Sequence, residues 1–461
     1  MSLSNDQQLA VYEKYLQDLA KLPKALVPKY LTLSPNSPIL LYQGKMTLKA
    51  GSSLTTDQGT LELIWLPSPS INFHISVDRI IPINETPVQV ILDEVDRVLS
   101  GYLFQPGFRV NESGSSMTFR GPILGEHSPA PVNAQRVTFH LVNFHNYLGE
   151  SVAYTTPSGS SGSGMGRLKV SNQKWSVIID KIQYDDSIWT ELGRSRGYGI
   201  THTGEICRVD GSLFPVAEAE EVLDALVFFL AFIRGIWVGP ILVTYEDDSI
   251  IEWLDLKLRN TSRWHSTKNW FPTSPIKSDG DLGHLFSEFI RLWADDTWKH
   301  VLRTSVFWYV ESSTSQSTEA GLVSVATALE LLFWVYFVES SETSQFSKKI
   351  AGHMSLERKL HMLLELSNYQ KEIPEHFDEL RSIANQLDAK YSEGPKVFAR
   401  LRNSIVHPKQ RHRKTLFDIP PYAKIQAQFL GLEYFERTLL HMLGYKGAIE
   451  NRDRLFKIVG G

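Results

Sequence analysis

A single cysteine, Cys207, stands in 461 residues. That excludes an internal disulfide and any zinc site built from several thiolates. Positive charge is not in excess either. The formal net charge is −4, so attraction to nucleic acid has to come from a local patch. Clean apolar runs are missing as well. "ALVFFLAFIRGIWVGPILV" (225–243) is broken by Arg234, Gly235, Gly239 and Pro240, and "LVSVATALELLFWVYFV" (322–338) carries Glu330 in its middle. A carboxylate there is costly in lipid, so both are read as buried helices of soluble domains and no membrane partner is expected. The opening "MSLSNDQQLAVYEKYLQDLA" has no basic start followed by an apolar core. No secretion signal is expected, and a cytoplasmic location is the simple reading.

Cofactor signatures are equally scarce. "PSGSSGSGMG" (157–166) lacks the Lys-Ser/Thr pair of a phosphate loop and reads as a hairpin connection. His202, Glu205 and Cys207 in "HTGEIC" crowd into one turn with no distant fourth ligand, a poor zinc signature. No metal and no cofactor are expected.

What the chain does have is two kinds of periodicity. With 42% apolar and 21% charged residues it has the composition of a folded protein, and its length calls for two or three domains. "KMTLKAG", "TLELIWL", "INFHISV", "VTFHLVNF" and "WSVIIDKI" are short, β-branched and aromatic, and separated by turn residues. Helices are predicted at 6–22 and 215–235. From about residue 280 the period becomes 3.6: "DLGHLFSEFIRLW" aligns Leu282, Leu285, Phe286, Phe289, Ile290 and Trp293. Further helices are predicted at 318–340, 345–368, 375–390, 395–407 and 421–443. Ser317 or Thr318 is the expected N-cap of the first of these, and Gly444 the expected stop of the last. The fold class is α+β, with a β-rich N-terminal domain (1–278) followed by an all-α bundle (279–461) and a junction near Asp279-Gly280. Seven of the eleven tryptophans lie between Trp237 and Trp308, which reads as a core and an interdomain seam.

The stretch "FARLRNSIVHPKQRHRK" (398–414) carries the chemistry. At 100° per residue, Phe398, Leu401 and Ile405 share a narrow arc, while Arg402, Asn403, Val406 and His407 spread over the other side. Asn403 and His407 are four apart, and Arg402 reaches the same point. Pro408 ends the helix, and Lys409, Arg411, Arg413 and Lys414 follow with no acid until Asp418. Cleavage of RNA without a metal needs a group of near-neutral pKa for proton transfer and a cation for charge on the phosphoryl oxygens. An imidazole and a guanidinium supply them. Arg-then-His spacings also occur at Arg120/His127, Arg196/His202, Arg259/His265 and Arg400/His407. Only 402–407 ends an amphipathic helix of a bundle.

"FARLRNSIVHP", "TALELLFW" (327–334) and "ERTLLHMLGY" (436–445) together resemble a HEPN domain (higher eukaryotes and prokaryotes nucleotide-binding). The resemblance implies a helical bundle that homodimerises and brings two Arg-x4-6-His helices around one composite RNase site. Arg402, Asn403 and His407 occupy the family's Arg, polar and His positions, with Glu330 where members keep a supporting acidic residue. The layout of a β-rich domain before the bundle also resembles ApeA-like anti-phage proteins. The function so implied is a metal-independent endoribonuclease acting as toxin or abortive-infection effector. RNA would be tracked by Lys409, Arg411, Arg413 and Lys414, and a phage or cellular trigger would be sensed by the N-terminal domain. Because some members lack nuclease activity, a non-catalytic RNA- or nucleotide-binding or dimerisation adaptor is the alternative. A structural protein docking another chain through its tryptophan-rich seam is the third reading. The bland account of 402–414 is a solvated helix end whose cations favour the helix dipole.

Overall fold

Alternation of inward and outward side chains organises the N-terminal half. In β3 (Ser70–Val77), Ile71, Phe73, Ile75 and Val77 all point into a core while their neighbours do not. The structure, a computed structural model, describes residues 5–452 apart from 33, 79–85, 105–106, 112–113, 129, 184–186, 248–251, 267, 273–280, 385–392, 408 and 451. After helix α1 (Asn5–Lys21), strands β1 (Ile39–Ala50), β2 (Ser53–Ile64), β3, β4 (Val88–Leu92), β5 (Arg97–Gly101), β6 (Gly107–Asn111) and β7 (Gly114–Glu126) form an antiparallel sheet ordered β3-β2-β1-β4-β5-β7-β6. A further β3–β7 pairing closes it into a barrel, which removes most of its open edges.

A second antiparallel sheet is ordered β10-β11-β12-β13-β9-β15-β16. Its strands are β9 (Arg136–Val142), β10 (Glu150–Thr155), β11 (Ser161–Ser171), β12 (Trp175–Lys181), β13 (Ile200–Arg208), β15 (Ile241–Glu246) and β16 (Glu252–Leu254). The short pair β8 (Asn133–Ala134) and β14 (Phe214–Pro215) lies apart, and α2 (Ser187–Ser195) and α3 (Val216–Arg234) punctuate the strands. Thr155 pairs with Ser161, so the glycine–serine stretch is the β10–β11 hairpin. The edge of β10 is covered by the segment after α1: Ala25 N donates to Ala153 O at 2.7 Å, and Ala153 N to Pro23 O at 2.9 Å.

The bundle comprises α4 (Gly283–Trp293), α5 (Asp296–Thr314), α6 (Thr318–Trp334, continued by a π-helical turn to Glu339), α7 (Lys348–Gly352), α8 (Leu356–Leu366), α9 (Asp378–Ala384), α10 (Gly394–Val406), α11 (Gln410–Asp418) and α12 (Pro421–Met442). The α+β layout read from sequence therefore holds. Ser317 caps α6 by accepting from Ala320 N, and Gly444, at φ 66°, closes α12. Three details differ. α5 was not anticipated, although Val301, Leu302, Ser305, Val306, Tyr309 and Val310 keep a helical period. The helix expected over 345–368 breaks at His353, because Ser355 caps a new start at Leu356. A further helix, α11, follows Lys409. The expected junction at Asp279-Gly280, and the end of the helix read over 375–390, lie outside the described residues.

One hydrophobic core runs from the second sheet through α3 into the bundle, and Trp270 and Trp293 are buried in it. Trp237, Trp253, Trp298 and Trp308 pack against it, so these tryptophans form core and seam. The helix Thr318–Glu339 is long and apolar enough to cross a bilayer, yet it is mostly buried within this core. A buried ion pair ties the chain's end to the bundle. Arg452 pairs with Glu436 of α12, and its Nη1 donates to Lys268 O at 2.9 Å. Tyr309 of α5 donates to Glu436 at 2.7 Å. Removing one partner leaves the other charge buried and unpaired. Arg452→Ala is therefore expected to lower unfolding free energy by about 3–5 kcal/mol in urea titration; a loss near zero would show that the pair relaxes into water.

Burial also holds the His140 and His202 imidazoles neutral, with pKa lowered to about 3. An unfolded chain protonates them near pH 6.5, whereas the folded chain does not. Their contribution to stability is thus complete above about pH 6.5 and is lost as pH falls toward 3, at up to about 1.4 kcal/mol per group per pH unit. The urea midpoint should drop between pH 7 and pH 5, and His202→Phe should reduce that slope. An unchanged slope in the variant would contradict this account.

Candidate functional site

Two buried side chains and a glycine fix α10. Phe398 and Leu401 are fully buried, and Gly431 of α12 lets the Phe398 ring lie on its backbone: a Cβ there would sit 2.4 Å from Phe398 Cε2. Ala399 is buried inside the same chain, so its small size serves internal packing. Pro395 occupies the first turn, where its missing N–H costs nothing. The helix ends at His407, whose backbone is extended (φ −108°, ψ 115°) while its N–H still donates to Asn403 O at 3.1 Å. A residue before proline is pushed out of the helical region, and the sequence places Pro408 next. His407 is consequently exposed, beyond the helical face that carries Arg402 and Asn403.

Arg402 is held from two sides. Its Nη2 donates to Glu330 Oε2 of α6 at 3.1 Å, and its Nη1 to Asn403 Oδ1 at 3.2 Å. Its Nε is buried and has no partner among the described residues. Glu330 receives a second cation, Lys359 of α8, whose Nζ lies 2.8 Å from Oε1. Two cations thus flank one carboxylate, and the excess positive charge sits at the exposed end of α10. The structure brings Arg402, Asn403 and Glu330 together directly. Sequence reading missed Lys359; the signal was its place at the margin of the buried stripe of Leu356, Leu360, Leu363 and Leu364.

The basic run after His407 is mostly helical, in α11. Lys409, its N-cap, and Lys414 are exposed, whereas the side chains of Arg411 and Arg413, like Pro408, lie outside the described residues. Val406, Phe417 and Tyr422 expose apolar surface at this end of the bundle, Phe417 at 89%. The rival Arg259 is consumed elsewhere: it is buried and paired with Glu220 at 2.9 Å and with Asp255 at 3.4 Å.

A fixed guanidinium, an adjoining amide, an exposed imidazole and cations on the next helix are the groups that can bind a phosphodiester and move a proton at a hydroxyl beside it. Comparison with known proteins adds lineage. The model of the YopA central domain matches residues 130–267, and that of the YopA C-terminal domain matches residues 295–460. The SPbeta prophage-derived uncharacterized protein YopA of Bacillus subtilis (strain 168) is 30% identical over 444 residues, covering 93% of this chain and 94% of that protein. The chain belongs to the YopA family. No solved structure matches it. The C-terminal family domain spans α6, α8 and α10, so Glu330, Lys359, Arg402 and His407 all fall inside it.

The ion pair can be tested without any assay of activity. A double-mutant cycle of Glu330→Gln and Arg402→Met should give a coupling energy of about 0.5–2 kcal/mol in denaturant unfolding. Partial exposure of both groups keeps it toward the lower end. Coupling indistinguishable from zero would mean that the carboxylate does not hold the guanidinium.

Proposed function

We propose that this YopA-family chain is a metal-independent endoribonuclease of the HEPN type, acting in the cytoplasm as a toxin or anti-phage effector. The observation that carries the reading is the Arg402 guanidinium, fixed by Glu330 and Asn403 at the helix end from which His407 emerges. Arg402 binds the scissile phosphate and stabilises charge on its oxygens, and Asn403 positions the ribose or the guanidinium. His407 moves the proton, taking it from the 2′-hydroxyl or giving it to the leaving 5′-oxygen. Cleavage then yields a 2′,3′-cyclic phosphate and a 5′-hydroxyl. Lys409, Arg411, Arg413 and Lys414 track the backbone. Exposed Val406, Phe417 and Tyr422 support pairing with a second copy through the bundle, which assembles a composite site. The barrel and second sheet sense a trigger and restrain the nuclease. A relative encoded by a prophage supports a setting of conflict with phage.

A non-catalytic adaptor that binds RNA or a nucleotide is favoured by one feature: both outer nitrogens of Arg402 are already engaged within the chain. The two readings part on His407→Ala. On induction in bacteria, wild type should fragment total RNA and His407→Ala should not, and purified wild type should cut in the presence of a chelator and leave cyclic-phosphate ends. A general acid–base loss is expected to cost about 10²–10⁴-fold in rate. Equal cutting by both proteins removes His407 from the mechanism; RNA retention without cutting, undiminished in His407→Ala, favours the adaptor.

A further inference from the structure

Glu357 and His361 lie four residues apart on α8 and so share a face. Glu393, the residue before α10, approaches them from a different segment, and one donor atom from each of the three lies within 4.8 Å of the others. All three side chains are half-buried. Neither carboxylate makes the capping bond of the helix beside it: Ser355 caps α8 by accepting from Arg358 N, and Glu393 makes no side-chain capping bond to α10. Among the described residues, no lysine or arginine forms an ion pair with either carboxylate, unlike Glu330, which has two. An imidazole and two carboxylates that converge from two segments can act together as one chelate.

We infer that Glu357, His361 and Glu393 form a binding site for a divalent transition-metal ion, of which Zn2+ is the representative. One imidazole and two carboxylates suit Zn2+ by ligand type. Donors bound at about 2.0–2.2 Å from one ion lie at most about 4.4 Å apart, close to the 4.8 Å that bounds this cluster. Water fills the remaining positions. The ion joins α8 to the start of α10. Arg402 is nine residues further along α10, about 14 Å at 1.5 Å per residue, so the ion takes no part in chemistry at that end. The site stands or falls independently of the ribonuclease reading. Its consequence is mechanical: α10 is clamped at the end opposite the arginine.

The test uses the full chain, stripped with a chelator and dialysed. Zn2+ is titrated by calorimetry, and Co2+ is followed by its visible absorption. The expected result is one saturable equivalent, a melting temperature raised by several degrees, and at least tenfold weaker binding in His361→Ala and in Glu393→Gln. His353→Ala, which removes an exposed imidazole just before α8, should bind as wild type does. His361→Gln keeps a polar side chain of similar reach, and a metal-free melting temperature close to wild type shows that weakened binding is not misfolding. No binding by wild type, binding unchanged in both site variants, or an equal loss in His353→Ala would each overturn the assignment.

Discussion

The enclosure of α3 is the constraint on which the architecture depends. Thirteen of its nineteen residues are buried, too many for one stripe, so the helix must be covered on more than one side. The second sheet supplies one wall, and α4 and α5 supply the other. Phe229 meets Phe286 and Phe289 at ring separations of 5.3 and 5.4 Å, and Phe232 meets Tyr309 at 5.7 Å. Each such aromatic removes enough apolar area from water to contribute about 1.5–3 kcal/mol. The buried C-terminal end of α3 also needs partners for its carbonyls. Trp270 Nε1 donates to Phe232 O at 3.1 Å, Asn269 Nδ2 donates to Ile233 O, and Gly235 turns the chain through a left-handed conformation. The segment entering the bundle is therefore pinned by the same helix that backs the sheet, and the second sheet and the bundle share one core while the barrel keeps its own.

That packing also decides where charge can sit. α6 is apolar enough to be mistaken for a membrane span, and Glu330 is the carboxylate that spoils it. In a bundle the carboxylate needs counter-charge, and it receives it from α8 and α10 at once through Lys359 and Arg402. The benefit runs in both directions. A lone arginine on a helix surface samples many rotamers, whereas one held by a half-buried carboxylate and a neighbouring amide presents its remaining edge in a single orientation.

Much of this was legible in sequence because it rests on local patterns. Period-2 strands, 3.6-residue stripes, Ser317 as a cap and Gly444 as a stop need no knowledge of distant contacts. Barrel closure through β3 and β7 was not legible, because it depends on pairing between residues 40 to 50 positions apart, from Val77 with Met117 to Asn72 with Pro122. α5 was passed over because its buried stripe mixes serine and tyrosine with valine and leucine. At the site, Arg402 and Asn403 were read from helix geometry and chemistry and Glu330 through a family resemblance, and the ion pair gives Arg402 and Glu330 a geometric reason to be where they are. Lys359 was invisible because its value lies wholly in a contact between helices. The cluster of Glu357, His361 and Glu393 was half visible as a four-residue spacing, but its third member comes from another segment. Spacing alone cannot announce that.

His407 shows where helical arithmetic stops. A separation of four from Asn403 suggests stacked side chains on one face, and the backbone hydrogen bond between the two residues keeps that spacing. The following proline nevertheless turns His407 itself to extended geometry, so its side chain leaves the helical register that holds Arg402. The two residues are therefore positioned by different means. The guanidinium is fixed by its ion pair with Glu330 and its bond to Asn403, whereas His407 is carried by the extended backbone that ends α10. Any chemistry that uses both must bring its phosphate to the arginine and let the histidine approach from outside. On the reading proposed here, exposure of Val406 beside that connection then has a physical sense. A second surface packed there would exclude water from a phosphate bound at Arg402.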